Sequence, residues 1–127
     1  MIYSLGGIQR GMANAQVNLI FRAFSDRTRL RILCLLTHDE MCVGDLVKVL
    51  QVPQPTASRH LRYLRRAGLV ETRRTGLWVH YRLARAKNVF HRNILKCLGS
   101  CFHDVPEITD DAKRADVIRK SGGCCPV

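Results

Sequence analysis

The sequence predicts a mainly α-helical fold with one small β-hairpin, an α+β arrangement, on three observations. Apolar residues recur at helical spacing in most segments between 17 and 103. One stretch, 69–83, alternates apolar and polar residues about Thr75-Gly76, as a hairpin does. The length, 127 residues, suits one domain with a modest core and is too short for two.

The elements follow in order. Residues 1–16 are read as a flexible N-terminal arm, because 1–11 lacks a basic region followed by an apolar one and so is no signal peptide. Val17, Ile20, Phe21 and Phe24 then form a helical stripe. Ser25 and Asp26 break it and can cap a second helix over about 26–37, apolar nearly all round from Leu30 to Leu36 and therefore the centre of the core. Val43, Leu46, Val47 and Leu50 make a short amphipathic helix, with Asp45 in its positive first turn. Val52-Pro53-Gln54-Pro55 is a turn into another helix, whose inner stripe is Ala57, Leu61 and Leu64 and whose stop is Gly68. After the hairpin, a long helix over about 87–103 carries Phe90, Ile94, Cys97, Leu98, Cys101 and Phe102 on one face. Residues 104–127 turn polar: 109–120 reads as a weak helix, and Ser121-Gly122-Gly123 frees a terminal Cys124-Cys125 pair.

Two short helices joined by a tight turn and followed by a basic hairpin make a winged helix-turn-helix, spanning 17–103 with its dimerisation surface. The second helix would enter the major groove. Gln54, Thr56, Ser58 and Arg59 are hydrogen-bonding groups at its entering end and suit base edges. His60 shares that polar face, and Arg62, Tyr63 and Arg65 lie further along and suit phosphates. Arg73 and Arg74 flank the hairpin tip, where a wing meets the backbone or the minor groove. Net charge agrees: the chain is +11, and 54–82 alone, with seven Arg and one Glu, supplies +6 of it. Double-stranded DNA is the partner this implies.

An enzyme is not indicated. The sequence has no Cys-x-x-Cys at a strand-to-helix turn, no His-Glu-x-x-His, no Gly-rich phosphate loop and no nucleophile elbow. No apolar run is long enough to span a membrane, so a cytoplasmic location is expected. There the six cysteines would be reduced thiols, suited to metal binding or redox sensing rather than a disulfide framework.

Several segments together resemble the ArsR/SmtB family of metal-responsive repressors. They are 24–33 (Phe-Ser-Asp-Arg-Thr-Arg-Leu-Arg-Ile-Leu), Met41 to Leu46, Gln54 to Leu61, Ala67 to Val70, and the wing-like Gly76 to Leu83. The resemblance implies a winged-helix homodimer, paired through its first and last helices, that represses a resistance operon until an inducer releases it. The arsenic-responsive branch, the best match, has Cys-Val-Cys-Asp where this chain has Cys42-Val43-Gly44-Asp45, so only Cys42 carries over.

Trivalent arsenic or antimony, the inducer expected on that resemblance, takes about three thiolates. The first-choice set is Cys42 with Cys124 and Cys125; the second draws on Cys97 and Cys101, spaced i, i+4. Packing at a dimer interface explains that pair equally well. Cys34 lies in the all-apolar helix and reads as core. His91 and His103 could join a zinc site, but 87–103 contains no Asp or Glu, which ranks zinc lower. A zinc, cadmium or lead sensor and a thiol redox switch at Cys124 and Cys125 remain alternatives on the same fold.

Overall fold

The computed structural model describes residues 7–123, with side chains from residue 16 onward. The chain runs α1 (Gly7–Phe24), α2 (Arg27–Leu36), β1 (Met41–Cys42), α3 (Val43–Leu50), α4 (Gln54–Arg66), β2 (Val70–Thr75), β3 (Trp78–Leu83), α5 (Val89–Ser100) and α6 (Pro106–Lys120). The architecture is mostly helical with a small antiparallel sheet, a winged helix-turn-helix.

Local chemistry explains the helix ends. Asp26 caps α2 by accepting from the Arg29 amide at 3.0 Å, and Asn88 caps α5 by accepting from the His91 amide at 2.8 Å. Both satisfy a first-turn amide that has no partner within its helix. Each of residues 31–36 of α2 is buried, so this helix is the central pillar of the core. Ile20 and Ala23 of α1, Leu46, Val49 and Leu50 of α3, Leu61 and Leu64 of α4 and Leu98 of α5 close round it.

The sheet has the order β1-β3-β2. Strands β2 and β3 pair from Val70 with Leu83 to Thr75 with Trp78, so Gly76 and Leu77 form the two-residue tip. Gly76 has φ +62°, a left-handed conformation suited to that turn. The sequence places Leu77 in the strand's alternating register; it lies in the turn instead and is 95% exposed.

Two segments differ from their sequence reading. Residues 7–16, read as an arm, are helical and belong to α1. Residues 106–120, read as a polar tail with a weak helix, form α6, which packs on α2 and α3. Ala115 and Asp111 are its buried residues, and Ile108 and Ile118 lean on the core. Asp111 is bidentate to Arg31 of α2, at 2.8 Å in both bonds, and also accepts from Arg114 at 2.9 Å. Arg31 reaches on to the Leu50 carbonyl and Arg114 to the Val49 carbonyl. One buried carboxylate thus ties α6 to α2 and to the last turn of α3.

Along α5, His91 and Leu98 face the core of the same subunit, and Phe90, Ile94 and Phe102 are half-buried against it. Large hydrophobic side chains left exposed are Val89 of α5, at 64%, and Phe21 of α1, at 58%. The Phe21 and Phe90 rings meet at 5.7 Å.

Candidate functional site

Helix α3 ends at Gln51, a non-glycine residue in the left-handed conformation (φ 58°), which turns the chain into α4 within three residues. Pro53 is the N-cap of α4 and Pro55 sits in its first turn, where a missing N–H costs nothing. Ala57, Leu61 and Leu64 bury the inner stripe. The opposite face holds Gln54, Arg59, Arg62, Arg65 and Arg66 in solvent, with Thr56 and Ser58 half-buried.

Two residues of the sequence-read DNA set sit closer to the scaffold. His60 is half-buried with Nδ1 4.0 Å from the Asp26 carboxylate. Burial lowers its pKa, with the Asp26 charge opposing. Tyr63 stacks under the Arg29 guanidinium, 4.1 Å from the ring centre, and Arg29 is itself bonded to the Ala23 and Arg22 carbonyls. On the wing, Arg74 is exposed, whereas Arg73 pairs with Glu40 and donates to Thr75 Oγ1 at 2.6 Å. The Arg73 guanidinium holds the Glu40 carboxyl below its usual range.

The thiol face lies at the other end of α3. Cys42 ends β1 and is the N-cap of α3, as its position before the helix suggests. In the pairing of β1 with β3, Met41 faces Tyr81 and Cys42 faces His80. Met41 and Tyr81 belong to the core side; Cys42 and His80 share the opposite side of the sheet. Both are buried there, Cys42 to 2% and His80 to 9% exposure. Among the described residues, His80 Nε2 has no hydrogen-bond partner.

The end of α6 returns to the same corner. Gly123 donates to the Ile118 carbonyl at 2.9 Å and has φ +70°. A Cβ at Gly123 would come within 2.8 Å of Asp45 Oδ2, in the first turn of α3, so a side chain there would strain both backbone and contact. Cys42 is disulfide-bonded; Cys124 and Cys125 lie outside the described residues.

On α5, Cys97 and Cys101 are within hydrogen-bonding reach of each other, and that contact, followed by burial, raises the Cys97 pKa. Cys34 is buried in α2, and burial pushes its thiol up to about 12, which keeps it protonated at neutral pH. His91 and His103 are not brought together. His91 sits in the first turn of α5, facing the core, and His103 lies beyond the end of that 12-residue helix. Among the described residues, no group of three or more His, Cys, Asp or Glu side chains could hold a metal ion.

Comparison with known proteins decides the lineage. The family described as "Bacterial regulatory protein, arsR family" matches residues 26–72. The solved structure of HlyU from Vibrio cholerae is 32% identical with a TM-score of 0.62, covering 71% of this chain and 95% of that one. The chain belongs to the ArsR family. A homodimeric winged helix-turn-helix DNA-binding domain from Mycobacterium bovis gives a TM-score of 0.63 at 25% identity, over 86% of this chain and 94% of that one. The arsenical resistance operon repressor of Escherichia coli K12 is 48% identical over 66 residues, 51% of this chain and 56% of that repressor. This ArsR-family chain therefore spans little more than half the length of that relative. The family and these relatives are DNA-binding transcriptional regulators, not enzymes. HlyU is named a transcriptional activator, so the direction of control varies among them. No helix among the described residues is long and apolar enough to cross a membrane.

Sequence reasoning missed His80, Glu40 and Asp111. A His on the polar side of a wing strand reads as solvent-facing, and only the pairing of β1 with β3 sets it opposite Cys42.

Proposed function

We propose that this protein is a cytosolic homodimeric repressor of a metal(loid)-resistance operon, released from its operator when trivalent arsenic or antimony is held by Cys42, Cys124 and Cys125. One observation carries the reading. The described chain ends at Gly123 against Asp45, one helical turn from Cys42. Cys124 and Cys125 follow Gly123 directly in the sequence. Soft thiolates suit trivalent arsenic, and about three are needed. The α5 pair is a poorer source: it supplies two sulfurs, and the neighbouring Cys34 stays protonated.

DNA contact belongs to the outer face of α4 and to the wing. Gln54, Thr56, Ser58 and Arg59 would reach base edges, while Arg62, Arg65 and Arg74 would meet phosphates. His60, Tyr63 and Arg73 keep their scaffold contacts and would meet DNA at the rim. The exposed Phe21 and Val89 support pairing through α1 and α5. A two-fold dimer would set its two α4 helices about one DNA turn apart on an imperfect inverted repeat.

The lever is α3. Its start carries Cys42 and its last turn is braced by Arg114 and Arg31. Drawing the start of α3 toward the chain end shifts α4 relative to its twin and spoils half-site spacing. A second reading, a thiol redox switch at the same cysteine, is favoured by the disulfide on Cys42. Release of the reduced protein from its own promoter DNA, followed by anisotropy against arsenite, antimonite, zinc, cadmium, lead and peroxide, separates the two. Release by arsenite and antimonite supports the metalloid reading. Release by peroxide alone supports the redox one.

A further inference from the structure

We propose that the base of the wing carries an anion site, in which Arg65, Arg85 and Lys87 together hold the phosphoryl group of a small molecule. The site uses none of the cysteines and is independent of the inducer that they capture.

Three segments meet there. The last turn of α4 brings Arg65, the start of β2 brings Glu71, and the loop 84–87 between β3 and α5 brings Arg85 and Lys87. They line an open cleft of about 380 Å³, a size that suits a small ligand. Gly68, Ala84 and Ala86 in its wall are small and leave room for an anion. Arg65, Arg85 and Lys87 are exposed, and among the described residues none of the three makes an ion pair or a side-chain hydrogen bond. Lys87 leans over the end of α4: a Cβ at Gly68 would lie 3.5 Å from its Nζ. Glu71 also lines the cleft, but its carboxylate already accepts from Arg82 Nε at 2.8 Å.

Cations gathered round one cleft without a counter-charge repel one another, and a bound anion reverses that. The negative end of the α4 dipole lies here too, but it amounts to only about half a charge and the three side chains outweigh it. Arginine forks bind phosphate oxygens in pairs, and lysine adds a compact charge. The operator backbone is the less suited source of that phosphate. Arg65 stands about 16 Å along α4 from Gln54. Val70, at the base of the wing, stands about 17 Å along β2 from Thr75 beside the tip. The cleft therefore sits at the ends of α4 and the wing that are remote from the base-reading residues. Arg65 also belongs to the outer face of α4, whereas Arg85 and Lys87 lie on neither that face nor the wing tip.

The test titrates the full chain at low salt with inorganic pyrophosphate, followed by calorimetry and by backbone amide NMR. Wild type should bind it saturably, with amide shifts centred on Gly68 and residues 84–87. Arg85→Ala and Lys87→Ala should each weaken binding roughly tenfold or more, the worth of a hydrogen bond to a charged group. Lys113→Ala, an equal loss of charge at an exposed position of α6, should bind as wild type does. Both cleft variants should keep the wild-type salt dependence of operator binding. Absence of saturable binding in wild type overturns the proposal, as do amide shifts centred on the outer face of α4. An equal loss in Lys113→Ala also overturns it, because net charge alone then accounts for the effect. A salt slope flatter by about one unit in Arg85→Ala or Lys87→Ala assigns that cation to the operator backbone and overturns the small-molecule site.

Discussion

Replacing Asp111 with Asn removes the buried carboxylate that ties α6 to Arg31 of α2 and, through it, to the end of α3. The Asp111 side chain is 1% exposed and that of Arg31 10%, so the variant leaves a guanidinium buried without its main counterion. Breaking such a pair costs about 3–5 kcal/mol. Two features favour the lower end: Glu107 still lies 3.7 Å from Arg31, and Arg31 keeps its bond to the Leu50 carbonyl. For a 127-residue chain, an unfolding entropy of about 2.1 cal/mol/K per residue converts about 3 kcal/mol into a melting-point drop of roughly 11 °C. Thermal unfolding followed by circular dichroism, at one fixed protein concentration because a dimer's stability depends on it, reads this directly. The double change Arg31→Met with Asp111→Leu should recover most of the loss, because apolar replacements leave no charge buried. Below its melting point, Asp111→Asn should bind DNA yet respond less to arsenite, since α6 carries the chain back to Asp45. A drop of under about 4 °C, roughly 1 kcal/mol, would show that the triad does not brace α6.

Other outcomes follow from the same geometry. Arg59→Ala should relax sequence preference by about 1–3 kcal/mol between cognate and altered operators, and competition binding measures it. Arg74→Ala should flatten the salt dependence of DNA binding by about one unit, while Arg73→Ala, whose guanidinium is already paired with Glu40, should flatten it less. Phe21→Asp with Val89→Asp should yield a monomer in sedimentation at micromolar concentration and loosen operator binding. Burial, with the Lys87 charge, lowers the His91 pKa below 6.5, so the folded state holds that proton less tightly than the unfolded state. Stability from His91 is therefore present above about pH 6.5 and is lost as pH falls through the lower folded value, and His91→Gln should show a smaller loss on acidification.

Much of the recognition half was legible in the sequence because its signals are local. The stripe Val43, Leu46, Val47 and Leu50 gave α3 its observed bounds, and Ala57, Leu61 and Leu64 are the buried positions of α4. Pro55 and Gly68 marked the ends of the second helix. What escaped depends on contacts distant in sequence. Strand β1 has two residues, too few for any period, and exists only because β3 pairs with it. Helix α6 hides its inner face behind a polar composition: Asp111 reads as solvent-facing until Arg31, 80 residues away, is set against it. Leu98 reads as dimer surface on a single stripe, but the Cys34 thiol contacts its carbonyl and the subunit's own core covers it. The cysteines divide likewise. The position of Cys42 ahead of a helix was readable, whereas the approach of Gly123 to Asp45 needed the packing of α6 on α3.

Opposition between arsenic capture at the start of α3 and DNA binding is tested most directly by one measurement. It is the arsenite-dependent change in operator affinity for wild type, Cys42→Ser, Cys124→Ser with Cys125→Ser, and Cys97→Ser. Wild type and Cys97→Ser should lose roughly five- to 150-fold in affinity with arsenite, a coupling of about 1–3 kcal/mol, and DNA should weaken arsenite binding by the same factor. Cys42→Ser and the tail double variant should bind operator normally and lose nothing. If the tail double variant is released as wild type is while Cys97→Ser is not, the sensing site belongs to α5, and capture at the start of α3 is contradicted.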